Sequence, residues 1–256
     1  MKLRRKISVE DGTRMQRIVT VGAMILLVFS MLLTSIQIAV YGDSHYSFYR
    51  KEYDKYCVPH VLRMDIDDIM VVTEYMMDYL IGKAENLSVE TEVDGTVQDF
   101  FNEQDRLHMA DVRNLFLDGL KLRNICVGVS IILLFGIFIM GKHGFRLLVY
   151  GYLRALTLFV VLGIFFAIIF TIDFTDCFTI FHKIFFTNDL WLFDPATDYM
   201  IRMLPEGFFS DMVIRIAVIF GIESVFVGGV WLSVGKFAEK KWKKNCRHDV
   251  EGIGEK

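Results

Sequence analysis

The sequence predicts an all-α membrane protein with four transmembrane helices, a mainly helical extracytoplasmic region and a second outer loop. Of its 256 residues, 54% are hydrophobic, which exceeds the roughly 45–50% of an ordinary soluble domain. Only 3 prolines are present, so long helices are rarely interrupted. Four apolar runs are about as long as the 20 or so residues that a bilayer-spanning helix needs. Each must be helical, because lipid offers no partner to a free backbone N–H or C=O.

The four apolar runs lie, in chain order, at residues 18–41, 125–141, 151–172 and 212–234. The first run is about 24 residues long, well beyond the 7–15 apolar residues of a secretory signal. We therefore interpret it as an uncleaved anchor. The remaining segments are a basic N-terminus, a large region, a short loop, a second large loop and a basic tail, at 1–17, 42–124, 142–150, 173–211 and 235–256.

The basic residues predict the orientation of these spans. Sixteen of the 28 Lys and Arg residues lie in 1–17, 142–154 and 235–256. Four spans place these stretches on the same side of the membrane, and loops with an excess of Lys and Arg are cytoplasmic. We therefore expect a multi-pass protein of the bacterial plasma membrane with both termini in the cytoplasm. The active surface would then lie on the extracytoplasmic side, in 42–124 and 173–211.

The first outer region begins with aromatic side chains and continues into an amphipathic pattern. Residues 65–82 carry apolar side chains at helical spacing and carboxylates in the first turn, where the helix dipole favours them. A calcium site is the alternative for these carboxylates, but no loop with a glycine and a closing glutamate follows. Asp94-Gly95 indicates a turn, and we expect a helix that begins near Thr96 and continues into the second span. The aromatic residues are interpreted as an interfacial belt: Tyr41, Tyr46, Phe48, Tyr49, Tyr53 and Tyr56.

The second outer loop, 173–211, is rich in aromatic residues and contains two of the three prolines. It is too apolar for a free linker, so we expect a short re-entrant or amphipathic cap on the membrane surface. Cys57 and Cys177 fall on the same predicted side, which leaves a disulfide between them open. No framework spacing supports such a bond, and free structural cysteines are the favoured interpretation.

Standard catalytic signatures are absent. The chain contains no H-E-x-x-H, G-x-S-x-G, P-loop or G-x-G-x-x-G motif. This argues against a zinc protease, a serine hydrolase with a nucleophile elbow and a nucleotide-dependent enzyme. The residues predict no metal site, no cofactor and no nucleic-acid partner.

His108 is the first candidate for acid–base chemistry. On a helix it shares a face with Phe101, Val112 and Leu115, so we expect its imidazole among apolar groups. Asp111 lies three residues further on and would accept a hydrogen bond from one ring nitrogen. That bond would fix the tautomer and leave the other nitrogen as a base. A packed structural histidine is the alternative interpretation.

His182 is the second candidate, and it lies in the other outer loop. Asn188 and Trp191 follow it and offer hydrogen-bond donors, although an interfacial anchor is the competing role of Trp191. Two histidines near one membrane face would converge on a common site. In the fourth apolar run, Glu223 is either functional or structurally hydrogen-bonded, and Arg215 is close enough to the outer end to snorkel.

Two motifs on this topology resemble the lipoprotein intramolecular transacylase family. His108 begins the sequence H-M-A-D-V, which is similar to the H-M-x-D-V signature of that family. The order of the helices and outer segments is also similar, and the resemblance covers residues 18–235. The second motif lies in the second loop and consists of His182, Asn188, Asp189, Trp191, Pro195, Asp198 and P-E-G-F-F at 205–209.

The resemblance implies an acyltransferase that acts on diacylated lipoproteins in the membrane. It would move the sn-2 acyl chain of the diacylglyceryl group to the α-amino group of the N-terminal cysteine, which gives a lyso-form lipoprotein. Attack within one molecule closes a ring of about eight atoms, so orientation supplies much of the rate. His108 would then be the base and Asp111 its orienting group. His182, Trp191 and Tyr49 are the candidates for the oxyanion or the leaving oxygen, and Asn188 is a candidate for substrate binding.

Two other functions remain open at this stage. The first is a non-catalytic membrane protein whose acidic outer region is a sensor or binds a partner. The second is a hydrolase of lipids or lipoproteins that uses the same histidine. The three functions predict different fates of a diacylated lipoprotein: transfer of an acyl chain to nitrogen, loss of an acyl chain, or no change.

Overall fold

The computed structural model describes residues 14–140 and 144–251, so the predicted segments 1–17, 142–150 and 235–256 lie partly outside the described residues. Helices make up most of the described chain, and two short strands lie between the fourth and the fifth helix in chain order. The elements are α1 Arg14–Tyr41, α2 Ser47–Lys55, α3 Val58–Leu62, α4 Ile66–Leu80, β1 Glu90–Val93, β2 Thr96–Asp99, α5 Glu103–Met140, α6 Gly144–Ile172, α7 Phe174–Phe185, α8 Tyr199–Met203 and α9 Glu206–Glu251.

Four of these helices are long and apolar enough to cross a membrane, namely α1, α5, α6 and α9. This confirms the predicted class, an all-α membrane protein with four spanning helices. Helix α5 has 38 residues and is therefore about 57 Å long, whereas the apolar core of a bilayer is about 30 Å thick. Its charge-free part is 125–140, so the charged turns 103–124 extend beyond the spanning segment.

The described chain forms two compact units, and the first comprises 14–32, 123–164 and 220–251. Its core includes Met24, Val28 and Tyr152. The Tyr152 hydroxyl donates to the carbonyl of Ser224 at 2.6 Å. A side chain at Gly151 would come within 2.7 Å of the Thr20 methyl group, so glycine permits close packing of α6 on α1 there.

The second unit comprises 33–122 and 165–219 and has its own apolar core. Tyr49 and Tyr53 are 3% and 0% exposed, and both rings pack against Phe208. The interfacial belt expected for the aromatic cluster is therefore wrong for these two tyrosines. They are interior residues of the second unit, because their rings cover apolar helices of the same unit.

The prediction of a helix that begins near Thr96 is wrong. Residues 96–99 form β2, which pairs antiparallel with β1, and α5 begins only at Glu103. The turn at Asp94-Gly95 is confirmed, and both residues adopt positive φ, 53° and 78°. That conformation suits the two-residue turn of a hairpin, which brings the chain back before the helix can start.

The amphipathic helix predicted at 65–82 is confirmed as α4, and the Asp65 side chain caps it by accepting from the backbone N–H of Asp67. Residues 173–211 contain the amphipathic helix α7, capped by Asp173, whose side chain accepts from the backbone N–H of Asp176. The location of this segment on the outer membrane surface stays a prediction. Cys57 and Cys177 are both free.

Candidate active site

The N-terminal end of α5 positions His108. Asn102 caps this helix in a reciprocal arrangement, because its side-chain oxygen accepts from the N–H of Asp105 at 2.9 Å and its own N–H donates to Asp105 at 3.0 Å. His108 lies one turn further on and is only 6% exposed. Its Nδ1 is buried and has no hydrogen-bond partner within the described residues.

Helix α7 positions His182 and also fixes the orientation of its ring. The imidazole is 7% exposed, and its Nδ1 lies 2.7 Å from the carbonyl oxygen of Phe178, one turn earlier. A carbonyl oxygen can only accept, so Nδ1 carries the proton. The lone pair of the neutral ring is therefore on Nε2, which is the atom that can act as a base.

The two histidines meet in the second unit. Their ring centroids are 6.0 Å apart and the rings are inclined by 28°. Trp191 stacks on His182 at 5.0 Å, while Phe186 and Phe193 lie edge-on to His108 at 5.2 and 5.3 Å. The predicted convergence of the two outer segments is thus observed, and the pair is enclosed by aromatic rings.

Three side-chain amides join the loop 186–198 to the first turns of α5. The amide of Asn102 donates to Asp198 at 2.7 Å, and that of Gln104 donates to the carbonyls of Leu190 and Leu192. The amide of Asn188 donates to Asp111 at 2.8 Å. These bonds connect residues that are 77 to 96 positions apart in sequence, and they keep Phe186, Trp191 and Phe193 beside the histidines.

The structure places Asp111 and Trp191 close to the two histidines, but their hydrogen-bond partners differ from the predicted ones. Asp111 accepts from Asn188, and no hydrogen bond joins it to His108 among the described residues. The indole N–H of Trp191 donates to the carbonyl of Asn188 at 3.0 Å, so it is not available to an oxyanion. Asn188 therefore connects Asp111 with Trp191, because its amide donates to the first and its carbonyl accepts from the second. Its side-chain oxygen also accepts from the N–H of Leu190.

Tyr49 is not brought to the pair. Its hydroxyl donates to the carbonyl of Val40 at 3.0 Å, and its ring lies among Tyr46, Phe48, Tyr53 and Phe208. Burial raises its pKa, which keeps the phenol neutral. This placement gives Tyr49 a packing role and does not support the expected contact with substrate.

Burial keeps both histidines neutral. The pKa of His108 is lowered to about 4, chiefly by burial and also by His182, while the Asp111 carboxylate opposes the shift. Burial also lowers the pKa of His182, against the effect of the bond to Phe178. At pH 7 both imidazoles are therefore uncharged and can accept protons.

Sequence reasoning missed several groups that build this site. The Phe178 carbonyl carries no side-chain signal, and Asn102, Gln104 and Asp198 each find partners far away in sequence. A capping pattern at Asn102-x-x-Asp105 was the one available signal. Among the described residues no group of three or more metal-ligating side chains is assembled.

Four apolar helices long enough to span a membrane define a multi-pass membrane protein, and its second unit holds a buried pair of neutral histidines. The family model described as lipoprotein intramolecular transacylase Lit matches residues 21–209 of this chain. This match extends over well more than half of the sequence, and the chain therefore belongs to the lipoprotein intramolecular transacylase family, which is a family of acyltransferases.

Solved structures support the same fold. The membrane-integral lipoprotein intramolecular transacylase of Bacillus cereus is 22% identical, with a TM-score of 0.68 over 90% of this chain and 98% of that one. Two variants of the same protein, with one histidine replaced by alanine or by arginine, are 23% identical with TM-scores of 0.67 over 90% of this chain and 96% and 95% of theirs. The comparison with curated proteins found no match.

Proposed function

We propose that this protein transfers the sn-2 acyl chain of a diacylglyceryl lipoprotein to the α-amino group of its N-terminal cysteine on the extracytoplasmic side of the membrane. The observation that carries the proposal is the stacked pair of His108 and His182 in a chain of this family. The product is an N-acylated lipoprotein with one free glycerol hydroxyl.

The proton balance of this reaction requires two deprotonations of the attacking nitrogen, and the two histidines can share them. The attacking group starts mainly as an ammonium ion, since its reference pKa is about 7.7–8.0, and the product amide keeps one N–H. Two protons therefore leave the nitrogen. One goes to the glycerol oxygen as the ester C–O bond breaks, and the other is released to water.

His182 is suited to the first of these protons. Its Nδ1–H is held by Phe178, so Nε2 accepts a proton from the ammonium and passes it to solvent. The amine lone pair then attacks the ester carbonyl carbon, a C–N bond forms and the carbonyl oxygen becomes an oxyanion.

His108 is suited to the second proton. Nitrogen bound to the tetrahedral carbon is much more acidic than a free ammonium, so even a weak base can deprotonate it. The resulting imidazolium, with a pKa of about 4, is a strong acid and protonates the departing glycerol oxygen. The oxyanion then collapses to the amide carbonyl.

The aromatic surroundings suit a substrate that stays anchored in lipid. Phe186 and Phe193 border His108, and Phe181, Ile184 and Phe185 on α7 are exposed. We infer that the acyl chains lie along these apolar groups while the amine reaches the histidines. The same rings leave His108 and His182 only 6% and 7% exposed, so little water reaches the pair, while His182 keeps enough contact with solvent to release its proton.

The test is expression in a bacterial host whose lipoproteins lack an N-acyl chain, followed by mass spectrometry of N-terminal lipopeptides. We expect an acyl chain to move to nitrogen with unchanged total mass, and we expect His108→Asn to abolish this. His45→Asn is the matched control, because His45 is exposed and the ring hydrogen bond found for it within the described residues is to Ser44. Loss of an acyl chain would indicate a hydrolase, and unchanged lipopeptides from well-expressed protein would contradict the proposal.

The orientation is tested separately. A reporter fused after Phe101 should read as extracytoplasmic, because the basic segments predict that 42–124 faces outward. A cytoplasmic readout would overturn the orientation without affecting the chemistry.

A further inference from the structure

We propose that the cleft beside Asp111 is the binding site for the α-ammonium group of the lipoprotein substrate, with the Asp111 carboxylate as its ion-pair partner. The inference rests on the proposed function and adds the group that recognises the amine. The cleft has a volume of about 240 Å³ and is lined by Asp111, Asn114, Leu115, Phe185, Phe186, Thr187 and Asn188.

The charge of this cleft fits a cation. Asp111 is the one acidic residue among the lining residues, none of which is basic, and no Lys or Arg of the described residues pairs with it. The basic residues nearest in sequence are engaged elsewhere. Arg106 pairs with Asp99, and Arg113 donates to the carbonyl of Ala84 and covers the ring of Tyr79.

The carboxylate is held in place before substrate arrives. The amide of Asn188 donates to its Oδ2 at 2.8 Å. The side-chain oxygen of Asn188 accepts from the N–H of Leu190, which fixes which way the amide points. Such a neutral hydrogen bond orients a carboxylate without cancelling its charge, so the negative charge is available to an ammonium ion.

The position of the cleft fits the reaction. Phe186 lines it and also contacts His108, with ring centroids 5.2 Å apart. Asp111 lies three residues after His108, one turn along the same face of α5. An ammonium held by Asp111 would thus be presented to the histidine pair. Asn114, Asn188 and Thr187 provide amides and a hydroxyl for the first peptide units.

This role differs from the orienting role first expected for Asp111. An orienting carboxylate must bond to the imidazole, and that bond is absent among the described residues. A binding carboxylate must face a cleft and lack a basic partner in the protein. Asp111 meets both of these conditions.

The experiment measures binding of a non-reactive probe, a lipopeptide whose glyceryl chains are ethers, with either a free or an acetylated α-amine. At pH 6 the wild type should bind the free-amine probe about tenfold more tightly than its acetylated twin. Asp111→Asn should remove this preference, and Asp111→Glu should restore part of it. The control is Asp118→Asn, an exposed carboxylate on the same helix that pairs with Lys121, and it should keep the full preference.

The pH dependence provides a second readout. Above about pH 8 the amine loses its charge, so the wild-type preference should shrink while binding of the acetylated probe stays constant. If Asp111→Asn keeps the preference and only slows turnover, Asp111 acts on His108 and the inference is wrong. Absence of acyl transfer by the wild type on the corresponding ester substrate would instead contradict the proposed function.

Discussion

The two segments that carry the histidines hold their imidazoles in different ways. His182 is oriented by its own helix, because its Nδ1–H donates to the carbonyl of Phe178. His108 has no such bond, and its Nδ1 is buried without a hydrogen-bond partner in the described part of the chain. Its ring is enclosed by Phe186 and Phe193, both of which belong to the loop after α7.

This difference shows that the two imidazoles depend on different parts of the chain for their orientation. One imidazole would keep its tautomer if α7 stood alone, whereas the environment of the other depends on the loop 186–198. That loop is attached to α5 by the amides of Asn102, Gln104 and Asn188. Substitutions that detach the loop from α5 should therefore act mainly through His108, and substitutions in α7 should act through His182.

The largest expected effect comes from replacing the two histidines. His108→Asn and His182→Asn should each lower single-turnover acyl transfer by about 10²–10⁴, the usual contribution of a positioned proton-transfer group. The double variant should lose about as much as the worse single variant, because groups that act as a unit are not additive. Losses that multiply would show that the two histidines act independently.

The predictions from the sequence succeeded where a signal was local or repeated. The spans followed from long apolar runs, and α4 followed from its apolar periodicity and its aspartates. The hairpin was missed because β1 and β2 have only four residues each. Half of these residues are exposed to solvent, namely Glu90, Glu92, Thr96 and Val97. No alternating apolar pattern marks such short strands.

The two histidines of the site could be predicted from the sequence, but the hydrogen bonds that join its segments could not. Their convergence followed from topology and motif, since both lie in predicted outer segments. The partner of Asp111 was expected three residues away, yet it is Asn188, which is 77 residues distant. Tyr49 was a candidate for the oxyanion or the leaving oxygen, but the packing of Phe208 and Tyr53 around it could not be predicted from one sequence.

The second prediction tests the dependence of His108 on the loop. Asn188→Ala should lower acyl transfer about ten- to a hundredfold, because a hydrogen bond to a charged group contributes about 1.5–3 kcal/mol and this one joins the loop to Asp111. The matched control is Asn124→Ala, an exposed amide that accepts only from Arg123. Equal activity of the two variants would mean that the loop stays in place without Asn188.

The third prediction concerns Asp105, which is 0% exposed and lies one turn before His108. Its Oδ1 has no hydrogen-bond partner among the described residues. Its pKa is raised to about 6, chiefly by burial and also by the Asp198 carboxylate, against the bond from the Asn102 N–H and the charge of Arg106. The unfolded value is about 3.9, so the folded state binds the proton more tightly and stability is lost as pH rises from about 4 to 6.

Asp105→Asn should therefore stabilise the protein at pH 7.5 by roughly 1–3 kcal/mol, a rise of a few degrees in Tm, and this gain should vanish near pH 4. Asp99→Asn is the opposite case. Burial raises the pKa of Asp99, but bonds from Ser88, Phe101 and Val89 outweigh that and lower it. That variant should lose stability at neutral pH, and thermal unfolding in detergent at several pH values measures both. A gain that does not depend on pH would mean that Asp105 is already ionised in the folded state.

The smallest effect should come from Trp191→Phe, which separates stacking from hydrogen bonding. Phenylalanine keeps an aromatic face on His182 but cannot donate to the carbonyl of Asn188. A neutral hydrogen bond contributes about 0.5–1 kcal/mol, so turnover should fall only about two- to fivefold. Trp191→Ala removes the ring as well and should cost distinctly more, because water then reaches the imidazole and its pKa rises toward the ordinary value. If the two variants are equal, the indole acts on the loop through its N–H, and His182 is oriented by α7 alone.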